Sequence, residues 1–530
     1  MGASVSKVVI LSGPIGAGKS TLTRALERRV SLQKLSTRDL LRSKFPDATD
    51  RASLQALGAK IDHETNEAWV ADAVASARGD RLPDLTIVDC VRTRKQVEHF
   101  RAHFGSDLVH VHLTADEDIR RSRYEERSGD RAESTSFRDS SNDPIERRVN
   151  ELSTMADLVV NTASSQIEVI ATLALGLIAP EAAKTQKLVD VIVGSQYGSE
   201  GKGNFCAHIA KQYDLLMRVG GPNAGHKVAN PAYTYVQLPS GTQSNPDATI
   251  VVGAGATISL EVLLKEISEL KLTPRRLVID HQAMIIDAAD IVSESKTFSR
   301  FASTQKGVGA ATARKILGRD GEAWLGAKTR LARDTPELKP FVGDTKERLE
   351  YAYSLGQRIL LEGTQGTGLS LHHGFYPNVT SRETTASGCL ADAGIAPLRV
   401  SRIFMVTRTY PIRVGGSSGP MGQELRFEDV AIRSGLSEAE IRKTEIGSVS
   451  GRTRRIAEFD WEQFRRSVSL NRPTDICLSF ADYIAASNRS VTRYDSLSDA
   501  TKLFVEQLER VSGANVSLIS AGFGTGLIER

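Results

Sequence analysis

The chain has 530 residues, of which 40% are hydrophobic, 25% charged and only 17 proline, a composition that describes folded globular material and excludes a long disordered tail. Its 68 basic and 64 acidic residues leave a net charge of +4, too even a balance to imply a nucleic-acid or membrane partner. The length exceeds one ordinary hydrophobic core, so two domains are predicted. Cys90, Cys206, Cys389 and Cys477 lie far apart in no metal-ligand spacing, which reads as reduced thiols in a cytoplasmic protein. The most apolar stretch, 169–180, is too short and interrupted to span a bilayer, and no cationic apolar leader is visible. The chain is therefore expected to be neither secreted nor integral to a membrane. Residues 1–6 fit an acylation pattern at Gly2, but so short a pattern recurs by chance.

The first predicted element is a strand at 7–12, an apolar β-branched run. It leads into Gly13-Pro14-Ile15-Gly16-Ala17-Gly18-Lys19-Ser20 and a helix-like pattern, the full phosphate-loop spacing in its required context. Glycines let backbone N–H groups converge on phosphate, lysine supplies a point charge for the β and γ oxygens, and the serine hydroxyl suits Mg²⁺. Gly13, Gly16, Gly18, Lys19, Ser20 and Thr21 are therefore the candidate ATP-binding residues, with Ser20 a candidate metal ligand. Further strands are predicted to end at Asp89 and to cover 108–113 and 158–160. Residues 120–127 are helix-like and dense in arginine, for which the ordinary reading is a solvated face.

Ser36-Thr37-Arg38-Asp39-Leu40-Leu41-Arg42 and Ile87-Val88-Asp89 resemble the acceptor-site and second-strand segments of nucleoside monophosphate kinases. Asp89-Cys90-Val91-Arg92-Thr93 is similar to the corresponding run of deoxynucleotide and dephospho-coenzyme-A kinases. The resemblance covers 1–178 and implies a P-loop kinase fold, with lid arginines near 120–127 that neutralise a transferring phosphoryl group. Pro180 and small residues then break the periodicity, and 179–187 is the predicted linker.

A second strand, predicted at 188–193, opens a loop with the same grammar, Gly194-Ser195-Gln196-Tyr197-Gly198-Ser199-Glu200-Gly201-Lys202-Gly203. Five further motifs follow: Gly220-Gly221-Pro222-Asn223-Ala224-Gly225-His226, Ser303-Thr304-Gln305-Lys306-Gly307-Val308-Gly309, Glu362-Gly363-Thr364-Gln365-Gly366, Tyr376-Pro377-Asn378-Val379-Thr380-Ser381 and Ser450-Gly451-Arg452-Thr453-Arg454-Arg455. In this order, across 188–530, they are identified as those of the adenylosuccinate synthetase family. The resemblance implies an α/β fold with a large central sheet and a Mg²⁺-dependent ligase. Such an enzyme moves the γ-phosphate of GTP or ATP onto O6 of a purine nucleoside monophosphate and then displaces it with the amine of L-aspartate.

By that resemblance, Ser199, His226 and Lys202 are the catalytic positions, with His226 as general acid at O6. Asn223, Thr304, Lys306, Arg319, Gln365 and Thr380 surround the purine nucleotide. Ser450, Arg452 and Arg454 grip the carboxylates of aspartate, a task suited to planar guanidinium. Gly198, Glu200, Gly201, Lys202, Gly203 and Asp482 bind the triphosphate, and Ser199 and Gly225 are candidate metal ligands. A homodimer follows by analogy, with Arg319 reaching a neighbour's site.

The chain departs from the family at several places: Lys306 replaces a family arginine, the segment from Gly309 to Glu362 and the tail after Asp482 are short, and two further changes bear on the chemistry. Ser199 stands where the family carries the aspartate that takes the N1 proton, and Ser479-Phe480-Ala481-Asp482 replaces a Thr-Lys-x-Asp base-recognition run, which leaves a slight lean towards GTP. Serine is small and neutral, leaving room beside C2 for an amino group. Phage enzymes of this family that condense dGMP with aspartate have a small residue there, so (d)GMP is the favoured substrate, joined to an N-terminal nucleotide kinase. Two alternatives stay open: an ordinary IMP-dependent synthetase, and a catalytically dead nucleotide sensor fused to an active kinase.

Overall fold

A computed structural model describes residues 7–47, 51–76, 85–89, 91–129, 136–141, 146, 148–178, 186–297, 304–447 and 451–530. The predicted acylation segment, most of the predicted linker, Cys90 and Ser450 lie outside them. The chain folds as two compact units, Met1–Lys184 and Thr185–Arg530.

The first unit is built on a five-stranded sheet whose strands, in spatial order, are Gln33–Ser36, Leu85–Asp89, Lys7–Ser12, Leu108–Thr114 and Leu158–Asn161, all parallel. Lys7–Ser12 is central and nearly all apolar because both its faces are covered: Val8 and Ile10 join one buried cluster, Val9 and Leu11 the other. The apolar stretch near 169–180 is the helix Ile167–Ile178, whose Ile170, Ala171, Ala174 and Ile178 pack on this sheet. Among the described residues, no helix is long and apolar enough to cross a membrane.

The second unit centres on a ten-stranded sheet. Its order is Val342–Gly343, Leu277–Asp280, Thr249–Val252, Leu215–Arg218, Ile359–Glu362, Val189–Gly194, Val400–Arg408, Asp475–Ser479, Asn515–Ser520 and Leu527–Glu529, with only the last pair antiparallel. The predicted strand at 188–193 begins one residue later, because Leu188 is only partly buried at its mouth. Val189, Val191 and Val193 point into one core and Ile192 into the other, the alternation expected of a sheet buried on both faces. Each fully buried aliphatic side chain here contributes roughly 1.5–3 kcal/mol. Gly194, Arg218, Glu362, Arg408 and Ser479 all end parallel strands on the same edge, so the loops that follow them converge there.

Candidate active sites

In the first unit, the strand Lys7–Ser12 runs into the phosphate loop and the helix Lys19–Glu27, whose N-cap Gly18 has φ 94°. A Cβ at Gly13 would stand 2.1 Å from the Leu113 carbonyl oxygen, and one at Gly16 would stand 2.5 Å from that of Arg120, so only glycine fits these approaches. The Lys19 ammonium curls over the loop, donating to the carbonyls of Gly13 and Pro14, while Ser20 and Thr21 are exposed at the helix start. Of the arginines in the helix Glu117–Gly129, Arg120 donates to the Ala115 and Ile15 carbonyls and Arg123 to the hydroxyl and carbonyl of Thr162. Thr162 in turn donates to the Ala17 carbonyl (3.0 Å), which ties this helix to the phosphate loop. Arg121 instead pairs with Glu117 on the exposed face.

Below the loop, the Ser12 hydroxyl bonds His110 (2.6 Å) and His112 (2.8 Å), and burial pushes both imidazoles down to about 4. Nothing in the sequence singled out this pair; strand register alone brings it under the loop.

In the second unit, the loop 194–203 folds around Glu200. One oxygen of its buried carboxylate accepts the amides of Gln196 (2.9 Å) and Gly198 (2.8 Å), and the other takes the Lys202 ammonium at 2.8 Å. Lys202 also donates to the carbonyls of Gln365 and Gly198. Gly198 and Gly201 have φ 92° and 87°, and a Cβ at Gly198 would stand 2.9 Å from Gln365 Cα, so the loop is pressed against the 362–366 segment. Gly203 faces His226 Cβ at 3.1 Å from where its own Cβ would stand. Glu200 is thus the internal scaffold of the loop. Ser199, beside it, is half-buried and has no hydrogen-bond partner among the described residues.

His226 is buried, and its Nδ1 donates to Glu362 Oε1. Glu362 also accepts the Ser240 hydroxyl (2.5 Å) and amide (2.7 Å), with Arg218 3.7 Å away. Burial, helped by Arg218, pushes the imidazole down to about 4 against the pull of Glu362. Burial opposes ionisation of Glu362, but His226 and Arg218 outweigh it and hold the carboxyl down at about 2. With Nδ1–H committed to this carboxylate, the neutral ring carries its lone pair on Nε2, which is buried and without a partner among the described residues. Glu362 lay inside a recognised motif, but its partnership with His226, 136 residues away, was not legible.

The purine set is brought together in part. Asn223 accepts from Thr304 (2.5 Å), and Gln365, itself at φ 62°, donates to Thr380 (2.7 Å). The amides of Gly307, Gly309 and Ala310, at the start of the helix Val308–Leu317, are taken by the buried Glu294 carboxylate, so Thr304 is the group that motif turns towards Asn223. Lys306 is exposed. Arg319 is exposed beyond the far end of this ten-residue helix, a length of about 15 Å. Gly225 follows Asn223 and Ala224 into the strand His226–Val228.

Of the aspartate set, Arg452 is exposed, whereas Arg454 is largely buried and pairs with Glu445 at 3.3 Å. Asp482 is buried, with one oxygen 3.0 Å from Arg489 Nε and the other without a partner among the described residues. Burial raises its carboxyl above the usual range, with Arg489 acting against this. Phe480 sits at φ 59° with the Arg408 guanidinium 3.6 Å from its ring centroid. Arg408, Glu445 and Arg489 carry no motif signal.

A phosphate loop on a parallel sheet, and a second glycine loop gathered with a histidine–carboxylate pair and buried guanidiniums on a wide α/β sheet, define a P-loop kinase-like domain joined to a nucleotide-dependent ligase. Residues 191–323 and 326–489 match the adenylosuccinate synthetase family, and residues 9–146 match an AAA domain family. The adenylosuccinate synthetase of Methanocaldococcus jannaschii is 37% identical over 342 residues, covering 63% of this chain and 93% of that one; that of Pyrococcus horikoshii is 34% identical, covering 63% and 95%. A fully ligated adenylosuccinate synthetase from Plasmodium falciparum shares the fold (TM-score 0.56, 21% identity, 65% and 100% covered). The cyanophage S-2L succinoaminodeoxyadenylate synthetase, solved with dGMP and dATP as an energy donor, has a TM-score of 0.53 at 29% identity, with 65% and 95% covered. The chain therefore belongs to the adenylosuccinate synthetase family, as a C–N ligase carrying an N-terminal P-loop kinase-like domain.

Proposed function

We propose that residues 188–530 join L-aspartate to C6 of GMP or dGMP through a 6-phosphoryl intermediate, and that residues 1–178 transfer phosphate from ATP to a nucleotide. The observation that carries the ligase reading is the state of the catalytic loop. Ser199 offers a small neutral hydroxyl, and the neighbouring Glu200 carboxylate is spent on the loop amides and Lys202. No carboxylate side chain at this position then crowds a 2-amino group. The likeness to a phage enzyme solved with dGMP supports the same substrate.

In this reading, Asn223, Thr304, Gln365 and Thr380 orient the monophosphate, and His226 takes up a proton on its Nε2 lone pair to form an imidazolium, steadied by Glu362, that donates to O6 as negative charge develops there. O6 attacks the γ-phosphorus as the N1 proton passes to solvent by way of the Ser199 hydroxyl and the nucleoside diphosphate leaves; the aspartate amine then attacks C6, giving up its proton to solvent, as phosphate departs. Arg452, Arg454 and Ser450 hold the amino acid. Among the described residues, no three potential His, Cys, Asp or Glu ligands converge. Mg²⁺ would therefore be carried chiefly by the triphosphate oxygens, with the Ser199 hydroxyl and Gly225 carbonyl as hard oxygen ligands and Ser20 serving the kinase loop, and would neutralise phosphate charge. For the donor, GTP or ATP, guanine presents two adjacent N–H groups that suit a carboxylate, and Asp482 keeps one oxygen without a partner among the described residues while the other accepts from Arg489, which leaves a slight lean towards GTP. A cytoplasmic homodimer belongs to the same reading. Ile316, Leu317, Trp324 and Leu325 are exposed on either side of Arg319, the kind of patch a partner subunit covers.

Mass spectrometry of products from IMP, GMP and dGMP with aspartate and either ATP or GTP tests this. Succino-adducts from dGMP support it, and adducts from IMP alone reject it in favour of the ordinary synthetase. Ser199→Asp is expected to raise IMP turnover and lower dGMP turnover by about tenfold each. Lys19→Met is expected to reduce ATP-dependent nucleotide phosphorylation by about two to three orders of magnitude. It should leave adduct formation intact, because Lys19 lies in the other compact unit.

A further inference from the structure

Beneath the aspartate loop, Glu445 is fully buried and binds three groups. Its Oε1 takes Arg408 Nη2 and the Tyr483 hydroxyl (2.6 Å), and its Oε2 takes Arg454 Nη1 at 3.3 Å. The amide of Arg454 also donates to the Glu445 carbonyl at 2.9 Å, so one residue fixes both the main chain and the side chain of Arg454. Arg408 enters from the end of the strand Val400–Arg408 and is 1% exposed, its guanidinium carbon 3.6 Å from the Phe480 ring centroid and 5.0 Å from that of Tyr483.

Two guanidiniums here share one carboxylate, with Tyr483 neutral, since burial pushes its hydroxyl far above the ordinary range. The cluster keeps one surplus positive charge in a poorly solvated place. Arg408 Nε and Nη1 and Arg454 Nε are buried with no hydrogen-bond partner among the described residues. Unmade bonds to buried guanidinium N–H groups are costly, so they mark a site prepared for an anion.

We propose that Arg408 and Glu445 are positioning residues for the amino-acid substrate: Glu445 sets the pose of Arg454, and the surplus charge supplied by Arg408 is neutralised by a substrate carboxylate. This rests on the ligase reading and extends it to two residues outside every recognised motif. A dicarboxylic amino acid is then favoured over its amide, because an amide leaves the surplus charge uncompensated.

Glu445→Gln alone strands two buried guanidiniums and is prone to misfold, so the decisive variant is Arg408→Gln/Glu445→Gln, which conserves the net charge of the cluster. With a melting temperature near that of the parent, it should raise KM for L-aspartate about 30-fold, with kcat and the KM values of both nucleotides within about threefold. Arg408→Lys, which keeps the charge, should stay within about fivefold of the parent. An unchanged KM for aspartate in the folded double variant overturns the proposal, as does a parallel rise in all three KM values. If the parent forms no adduct from aspartate with any purine monophosphate, the ligase reading itself falls and this inference with it.

Discussion

Glu362→Gln is expected to lower ligase kcat by about a thousandfold while leaving KM for the purine monophosphate within a few fold. The carboxylate fixes Nδ1–H of His226, leaves the buried Nε2 lone pair for the role proposed above, and would offset the electrostatic cost of an imidazolium. An amide of the same shape can present either oxygen or nitrogen to Nδ1, so the tautomer is no longer specified, and no negative charge steadies the cation. The effect on acidity has a definite sign. Glu362 raises the His226 pKa against burial, so its loss drives the imidazole below its present value of about 4 and makes the protonated form scarcer. In the parent, a buried imidazole below its ordinary 6.5 means that the unfolded chain binds the proton first on acidification. Its contribution to stability is therefore complete above 6.5 and is lost as the pH falls towards 4. Steady-state kinetics with a melting curve for each variant decides the matter. A loss below about fivefold, or one shared equally by KM, would make Glu362 a structural residue only.

Lys202→Met is expected to have a comparable effect on turnover for two separable reasons. Lys202 and Glu200 are both almost completely buried, so removing the ammonium strands a carboxylate and costs about 3–5 kcal/mol of stability. It also removes the positive charge proposed to face the transferring phosphoryl group, worth about two to three orders of magnitude in kcat. Lys202→Met/Glu200→Gln separates the two. The stranded charge is gone, so the melting temperature should recover most of the loss while turnover stays low. Recovery of turnover along with stability would show that Lys202 only holds the loop together, through Glu200 and the Gln365 carbonyl.

The elements that position the sites were legible because they depend on short-range rules. The strand at Lys7–Ser12 matches its expected bounds to the residue, and the one at Val189–Gly194 to within one. β-Branched runs followed by glycine leave few other conformations, and the loops need positive φ at Gly18 and Gly201 where only glycine is comfortable. The arginine-rich helix was harder. Its sequence suits a solvated face, and only the fold shows that Arg120 and Arg123 turn inwards onto the neighbourhood of the phosphate loop while Arg121 stays out.

By itself the sequence determined the two glycine loops, the division into two α/β units and the family motifs, because spacing along the chain encodes backbone geometry and ligand chemistry locally. Tertiary structure alone decided what each charged group is free to do. Glu200 is turned into its own loop, Glu362 meets His226 from another strand, and Glu445 gathers Arg408 and Arg454 from two more segments. The physical reason is that a buried charge is governed by its nearest countercharge, and strands distant in the chain supply those partners at one edge of the sheet.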